Sequence, residues 1–455
     1  MLIRVTVENF KSFDERVELS MVSSSKIRKH PRHVVMVRGA KVLRHAAVYG
    51  ANASGKSNLI ASLRFVQQVL RGGLPLSSSR LYCRNSDKNA QRESTFEVQF
   101  SLGDQVYAYG FSAILKERRI TGEWLFDIGS TPARSILERS FTPSDAGGST
   151  IGTSVKMGRE DRARFSTYAD DFSDNDNSLF LSELNRSKRF SEGSPLSVFR
   201  RTYDWLVGGM LILSPMQPLP NPSYFFKAGL RDTIGRIVAS FDTGISEIET
   251  YALTMEELAD LVPRSALRMM LEESERQFNS GESVRTGYTY RGRDNLVAIE
   301  FVDDGSYEAF VVRLRHGGED AFDFGEESEG TQRLFDLIYL LVEPADDLTF
   351  VIDELDRSLH PMLVRHFLEL FMEMGRDKRT QLLFSSHEAS VMDQELFRRD
   401  EIWFIDRGHD GCSRLYSLDR FKERYDAVVS KAYLEGRYGA VPVFSEAIRR
   451  VARGE

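Results

Sequence analysis

The chain is 455 residues long with 41% hydrophobic and 28% charged residues, the balance of a folded globular protein with room for two or three domains, which excludes a disordered or fibrous chain. No apolar run is long enough to span a bilayer, and the opening Met1-Leu2-Ile3-Arg4-Val5 alternates like a strand and lacks the layout of a signal peptide, so a cytoplasmic location is expected. A formal net charge of −7 argues against a protein coated in nucleic acid, and two cysteines, Cys83 and Cys412, without a C-x-x-C exclude a disulfide framework or a cysteine zinc site and read as reduced thiols.

In chain order, residues 2 to 20 read as two strands from the alternation of Ile3, Val5, Val7 and then Val17, Leu19. From Lys26 to His45 the chain carries seven Lys/Arg, three His and no acid. That run is either a solvated loop and strand edge or a patch that meets phosphates or an acidic partner. Ala46 to Tyr49 is a short apolar strand, and Asn58 to Leu70 has Leu59, Ile60, Leu63, Val66 and Leu70 in helical register. Between them Gly50-Ala51-Asn52-Ala53-Ser54-Gly55-Lys56-Ser57 fills every slot of G-x-x-x-x-G-K-[ST] in its required strand–loop–helix context. Such a loop cradles phosphate with successive backbone N–H groups and the positive helix end. Gly50, Asn52, Ala53, Ser54, Gly55, Lys56, Ser57 and Asn58 are therefore nucleotide-binding candidates, with Lys56 reaching the β- and γ-phosphates and Ser57 ligating Mg²⁺.

Aromatic-rich alternation over Phe96–Phe100, Val106–Phe111 and Glu123–Phe126 predicts an antiparallel sheet, and the Ser/Gly/Thr-rich stretch from 140 to 160 a boundary. Residues 160 to 280 are mainly helical by pattern, broken by Met210-Leu211-Ile212-Leu213 and a Pro-rich turn from Pro215 to Pro222; a strand meander follows from Val284 to Arg315. The last third alternates strand and helix, with strands at Leu348–Ile352, Gln381–Ser385 and Glu401–Ile405, a helix from Pro361 and two terminal helices, which implies a largely parallel sheet. The expected organisation is an N-terminal lobe 1–155, a mainly helical insertion 156–283 and a C-terminal lobe 284–455.

The apolar run Leu348 to Ile352 ends in Asp353-Glu354, an arrangement that places one acid on the metal and the next beside an attacking water. Asp353 is the candidate metal ligand with Ser57, and Glu354 the candidate general base. Ser328-Glu329-Gly330-Thr331-Gln332 opens a helix with Leu334, Leu337, Ile338 and Leu341 on one face, built like an anion-binding helix start. Leu382 to Ser386 is a strand that ends by presenting His387.

Together these motifs resemble the ABC-type ATPases, more closely their SMC, RecF and OLD branch; Val5-Thr6-Val7-Glu8-Asn9-Phe10-Lys11-Ser12-Phe13 resembles that branch's opening strand and turn, and Asp356 lies where it carries its D-loop. The resemblance implies an α/β fold, an ABC-type P-loop ATPase head with a mixed and parallel sheet core and an antiparallel β subdomain, plus the helical insertion. It implies ATP and Mg²⁺ as cofactors, Ser328, Gly330 and Gln332 as a signature that meets the nucleotide of a second subunit, and His387 as a switch histidine acting with Lys56 and Glu354. Ser-Glu-Gly-Thr-Gln departs from the usual Ser-Gly-Gly-Gln core. A Q-loop glutamine is also implied, with Gln217 and Gln99 as candidates.

The segment Lys431 to Pro442 looks like the ending of compact bacterial OLD/RecF-like ATPases of anti-phage and abortive-infection systems, and is similar to the ATPase subunit of PARIS-type systems, in which a separate Toprim nuclease is the effector. By that likeness the partners are a second copy or higher oligomer, an effector nuclease on another polypeptide and a phage-encoded trigger protein. The alternative is a RecF-like DNA-repair clamp, for which the Lys26–His45 run would be the DNA-facing surface. Long coiled coils are not expected, because 160 to 280 lacks sustained heptads.

Overall fold

The computed structural model describes residues 1–141, 148–186, 193–215, 230–279, 287–292, 294–301, 307–342, 346–422 and 428–441. Contacts divide the chain into two units, Met1–Ser214 with Asp346–Leu355 and Arg376–Glu455, and Pro215–Ala345 with Asp356–Gly375.

The first unit contains two larger sheets. One has seven strands in the order Ser149–Gly152, Arg134–Phe141, Arg119–Asp127, Gln105–Ile114, Ser94–Leu102, Leu2–Glu8, Val17–Ser20, with every neighbouring pair antiparallel. Alternation forms it: in Ser94–Leu102 the residues Phe96, Val98 and Phe100 are buried and those between them half-buried. The other has six strands in the order Met210–Leu213, Thr349–Ile352, Gln381–Ser385, His45–Tyr49, Ile402–Arg407, Ser413–Ser417, the first five parallel and the last antiparallel. Its central strands His45–Tyr49, Thr349–Ile352 and Gln381–Ser385 are buried at every position, as continuous apolar runs covered on both faces are.

The helix Lys56–Gly72 joins these layers. It buries Leu59, Ile60, Leu63, Phe65, Val66, Val69 and Leu70 in one apolar core that also holds Val5 and Phe111 of the antiparallel sheet and Val351, Leu383 and Ile405 of the parallel one. The Phe65 ring lies 5.4 Å from that of Phe10 and 5.0 Å from that of Phe96. The helix stops at Gly73, whose φ of 75° suits glycine and whose N–H donates to Val69 O at 2.8 Å. Near the end of the described chain, Tyr433 and Tyr438 stack on Phe404 with centroids 5.5 and 5.4 Å away, so the Lys431–Val441 segment is a packed terminal turn. The second predicted terminal helix lies outside the described residues.

The second unit has its own antiparallel sheet, in the order Glu247–Ala252, Tyr307–Arg315, Leu296–Phe301, Gly287–Arg291, with Ala321–Asp323 against the Tyr307 strand. Its helices are Leu230–Ala239, Met255–Leu261, Arg264–Asn279, Glu329–Val342 and Pro361–Met374. Leu258, Val262, Val297, Ile299 and Ala309 form a local core. Residues 156–214 fold with the first unit, where Met210–Leu213 becomes an edge strand of the parallel sheet. No described helix is long and apolar enough to cross a membrane.

One buried carboxylate organises the antiparallel sheet. Glu123, 1% exposed, accepts from Tyr109 Oη at 2.9 Å and from the backbone N–H groups of Phe180 and Leu181 at 2.6 and 3.0 Å. Burial raises its pKa, and the charge of Arg139 and these donors oppose the rise. Glu123→Ala strands two buried N–H groups and removes the negative charge that faces the Arg139 guanidinium, which costs about 3 kcal/mol. The three tryptophans Trp124, Trp205 and Trp403 all lie in the first unit, as Glu123 does, so a lowered urea midpoint of tryptophan fluorescence is the expected readout.

Candidate active site

The register of the parallel sheet sets Ile352 beside Phe384 and Phe384 beside Ala47, and Tyr49 beside Phe404. Gly50, Asp353, Ser386 and Arg407 therefore emerge at one edge, outside the carboxyl ends of the strands, where open α/β sheets hold their ligands.

The phosphate-loop backbone is clamped there. A Cβ on Gly50 would run into the Ile405 carbonyl oxygen and come 2.6 Å from Ser54 Oγ. Gly55 has φ 119°, and a Cβ on it would meet Ser413 Oγ and lie 2.9 Å from Ser12 Oγ. Around it Asn58 Nδ2 donates to Ser12 Oγ at 2.8 Å, the Ser413 and Ser12 hydroxyls are 2.7 Å apart, and Ser413 Oγ donates to Ser54 O. Lys56, buried to 5% exposure, directs Nζ to Gly50 O at 2.6 Å and Ala51 O at 3.1 Å, with His387 Nδ1 at 3.3 Å.

Ser385 holds the acid pair. Its Oγ donates to Asp353 Oδ1 at 2.6 Å and accepts from Glu354 N–H at 2.8 Å, while its carbonyl oxygen accepts from Leu355 N–H at 3.0 Å. Asp353 is buried; Glu354 and His387 are each about one third exposed, with Oε1 and Nε2 4.0 Å apart. The Ser57 hydroxyl in the first helical turn and the Asp353 carboxylate are hard oxygen donors of the kind Mg²⁺ takes.

An open cleft of about 820 Å³ lies over these groups, lined by Asn52 to Asn58, Glu354 and His387, a volume in the range of nucleotide-sized sites. Its lining also includes Lys11, Ser12, Arg80, Tyr82, Arg84, Asn85 and Arg407, none of which the motifs nominated as ligand contacts. Arg407 ends a parallel strand, so the carboxyl-end rule points to it; Arg80 ends the short 3-10 turn Leu76–Arg80 and Arg84 lies in the loop after it, where no periodicity marks them. Burial lowers the pKa of Lys11, the charge of Arg64 lowers it further, and Asp353 opposes both.

The remaining sequence candidates fall elsewhere. In the second unit Ser328 Oγ accepts from Thr331 N–H at 3.1 Å as the N-cap of Glu329–Val342, and a Cβ on Gly330 would lie 2.6 Å from Ser358 O. The Gln332 side chain donates to Glu327 O at 3.0 Å and accepts from Arg291 at 2.6 Å. Gln99 pairs with Glu97 within the antiparallel sheet and is not part of the cleft lining; Gln217 lies outside the described residues. The basic run is partly interior: Arg44 is 2% exposed and donates to Arg376 O and Thr380 O, Lys29 pairs with Glu395 at 2.7 Å, and His33 and His45 are buried. Lys26, Arg28, Arg32 and Lys41 remain exposed.

A glycine-clamped phosphate loop at the carboxyl edge of a parallel sheet, with an acid pair ending the next strand but one, defines a P-loop ATPase of α/β fold. More particularly, the chain belongs to the family described as "AAA domain, putative AbiEii toxin, Type IV TA system", which matches residues 46–149 and 223–393, more than half of its length. It is also similar to an SMC head bound to the C-terminal winged-helix domain of ScpA (14% identity, 91% of this chain and 97% of that one, TM-score 0.43). The SMC head domain from Thermotoga maritima is another such structure (13% identity, 91% and 98%, TM-score 0.34). No curated protein matches the chain.

A phosphate near Lys11 favours its protonated form, whereas burial favours the neutral one. Nucleotide affinity is therefore expected to fall as pH rises through the lowered lysine pKa, because the amine loses the charge that attracts the ligand. Titration of a fluorescent nucleotide at rising pH checks this; in Lys11→Arg, which stays charged, the curve is expected to be flat over the same range.

Proposed function

We propose that this chain is the ATP-binding and ATP-hydrolysing switch of a bacterial anti-phage defence system of abortive-infection type, that it works as a dimer or higher oligomer, and that it controls a separate effector nuclease. The observation that carries the enzymatic part is the convergence of Lys56, Glu354 and His387 on one cleft, with the buried Asp353 preceding Glu354 and held by Ser385. The toxin–antitoxin description of its family supports the defence part.

In this reading Lys56 exchanges its loop carbonyls for the β- and γ-phosphates. Glu354 orients a water and takes its proton as the water oxygen attacks the γ-phosphorus in line, and the bond to the bridging oxygen of ADP breaks. Ser57 and Asp353 would hold Mg²⁺, which neutralises the charge on the phosphates. His387, facing Lys56 through Nδ1 and Glu354 through Nε2, senses whether the γ-phosphate is present. Ser328 and Gly330 of a second copy would meet that phosphate through the start of their helix; with the Gln332 side chain engaged by Arg291, the Ser328 hydroxyl and backbone N–H groups are the contacts it offers. Two copies would then enclose two ATP molecules, and nucleotide state becomes assembly state. An effector of Toprim type and a phage-encoded trigger complete the proposal.

The exposed cations Lys26, Arg28, Arg32 and Lys41 favour a second reading, a RecF-like clamp that closes on duplex DNA when ATP is bound.

Glu354→Gln is expected to bind ATP while hydrolysing it roughly 100-fold more slowly, and Ser385→Ala, which frees the acid pair, about tenfold more slowly; phosphate release measures both. Tagged Glu354→Gln protein purified with ATP from its native operon is expected to carry a separate nuclease in a stable oligomer. A bare dimer that binds duplex DNA with a steep salt dependence supports the clamp and overturns the effector reading.

A further inference from the structure

Three metal-ligating side chains outside the cleft meet in the interior of the first unit. His33 ends the turn Pro31–His33, His45 opens the strand that leads into the phosphate loop, and Glu401 immediately precedes the strand Ile402–Arg407. They are 8%, 1% and 0% exposed. His33 Nδ1 lies 3.1 and 3.0 Å from the two Glu401 oxygens, His45 Nδ1 lies 3.8 Å from Glu401 Oε1, and one ligand atom from each residue falls within 4.8 Å of the others. The imidazole rings stand edge to face with centroids 4.8 Å apart.

A buried triad of this kind is either a hydrogen-bonded cluster or a metal site, and the geometry favours the second. Both imidazoles turn the same nitrogen, Nδ1, toward one carboxylate, and a single cation among the three satisfies all of them at once. Two ligands each about 2.1 Å from a shared ion lie roughly 3 to 3.6 Å apart. The observed nitrogen–oxygen separations bracket that range, and the widest pair closes on an ion by drawing in about 1 Å. The carboxylate is braced, as metal-bound carboxylates are: Arg398 N–H donates to Glu401 Oε2 at 2.8 Å, and the Arg398 guanidinium pairs with Asp400 at 2.9 Å. His30 stacks on His33 at 4.8 Å and places Nε2 2.9 Å from Gln394 O, walling one side of the triad.

We propose that His33, His45 and Glu401 form a structural Zn²⁺ site, completed by a water, which pins the turn before the Val34–Leu43 hairpin to the amino ends of two strands of the parallel sheet. Two imidazoles and one carboxylate make a donor set that suits Zn²⁺ better than Mg²⁺ or Ca²⁺. The site is separate from the nucleotide cleft, because His45 opens the strand whose far end leads into Gly50, about 17 Å away at the rise of extended chain.

The full chain, purified without chelator and then stripped with EDTA, is titrated with ZnCl₂ in the absence of nucleotide, beside His33→Gln and Glu401→Gln. Wild type is expected to take up one Zn²⁺ per chain by calorimetry and elemental analysis and to melt at a higher temperature with zinc. Both variants are expected to lose that uptake and that thermal shift while still binding Mg-ATP, since the phosphate loop and acid pair are intact. Equal zinc uptake by wild type and variants overturns the proposal, as does no uptake by any of them. If the variants do not fold, Co²⁺ added to stripped wild type decides: a tetrahedral visible absorption band that zinc abolishes supports the site, and no band overturns it.

Discussion

The close approach of Gly50 to the Ile405 carbonyl, which leaves no room for a Cβ, is the constraint on which the rest of the site depends. A phosphate-binding loop works by aiming successive N–H groups at one point, which requires a backbone that cannot relax when the ligand leaves. Here the loop is fixed from outside: one glycine is pressed against the next strand and the other against the Ser12 and Ser413 hydroxyls. Those hydroxyls come from the turn after the first strand and from the last strand of the parallel sheet, so both sheets contribute to holding a few loop atoms. The packing of Phe65 between Phe10 and Phe96 serves the same end, because it seats the helix whose first turn carries Lys56 and Ser57.

What could be read in the sequence is what has local cause. The glycine spacing, the apolar strands of the parallel sheet and the acids that end one of them follow from neighbours in the chain, and the structure places Lys56, Glu354 and His387 on one cleft. What could not be read is long-range. Glu123 looks like one polar residue of an alternating strand, yet it is buried because Phe180 and Leu181 bring their N–H groups to it. Glu247–Ala252 sits in a helical stretch and is a strand because the Tyr307–Arg315 strand pairs with it, with Arg315 against Glu249. His33 and His45 read as members of a basic run, and only Glu401, far along the chain, draws them inward.

The acid pair shows how backbone and chemistry are joined. In an extended strand consecutive side chains point to opposite faces, so continuing Thr349–Ile352 would send Asp353 and Glu354 apart. Glu354 instead takes φ 52°, a left-handed conformation that costs a non-glycine residue about 1 kcal/mol. A glycine would adopt it freely but has no carboxylate. The strain persists because Ser385 over-determines the turn, accepting from the N–H of Glu354 and Leu355 and donating to Asp353. The neighbouring strand thus sets the direction of both acids, one held inside against the hydroxyl and the other turned into the cleft opposite His387. Any exchange at Ser385 that keeps size but loses the hydroxyl releases that turn, so the aim of Glu354 is a property of two strands in register and not of its own side chain.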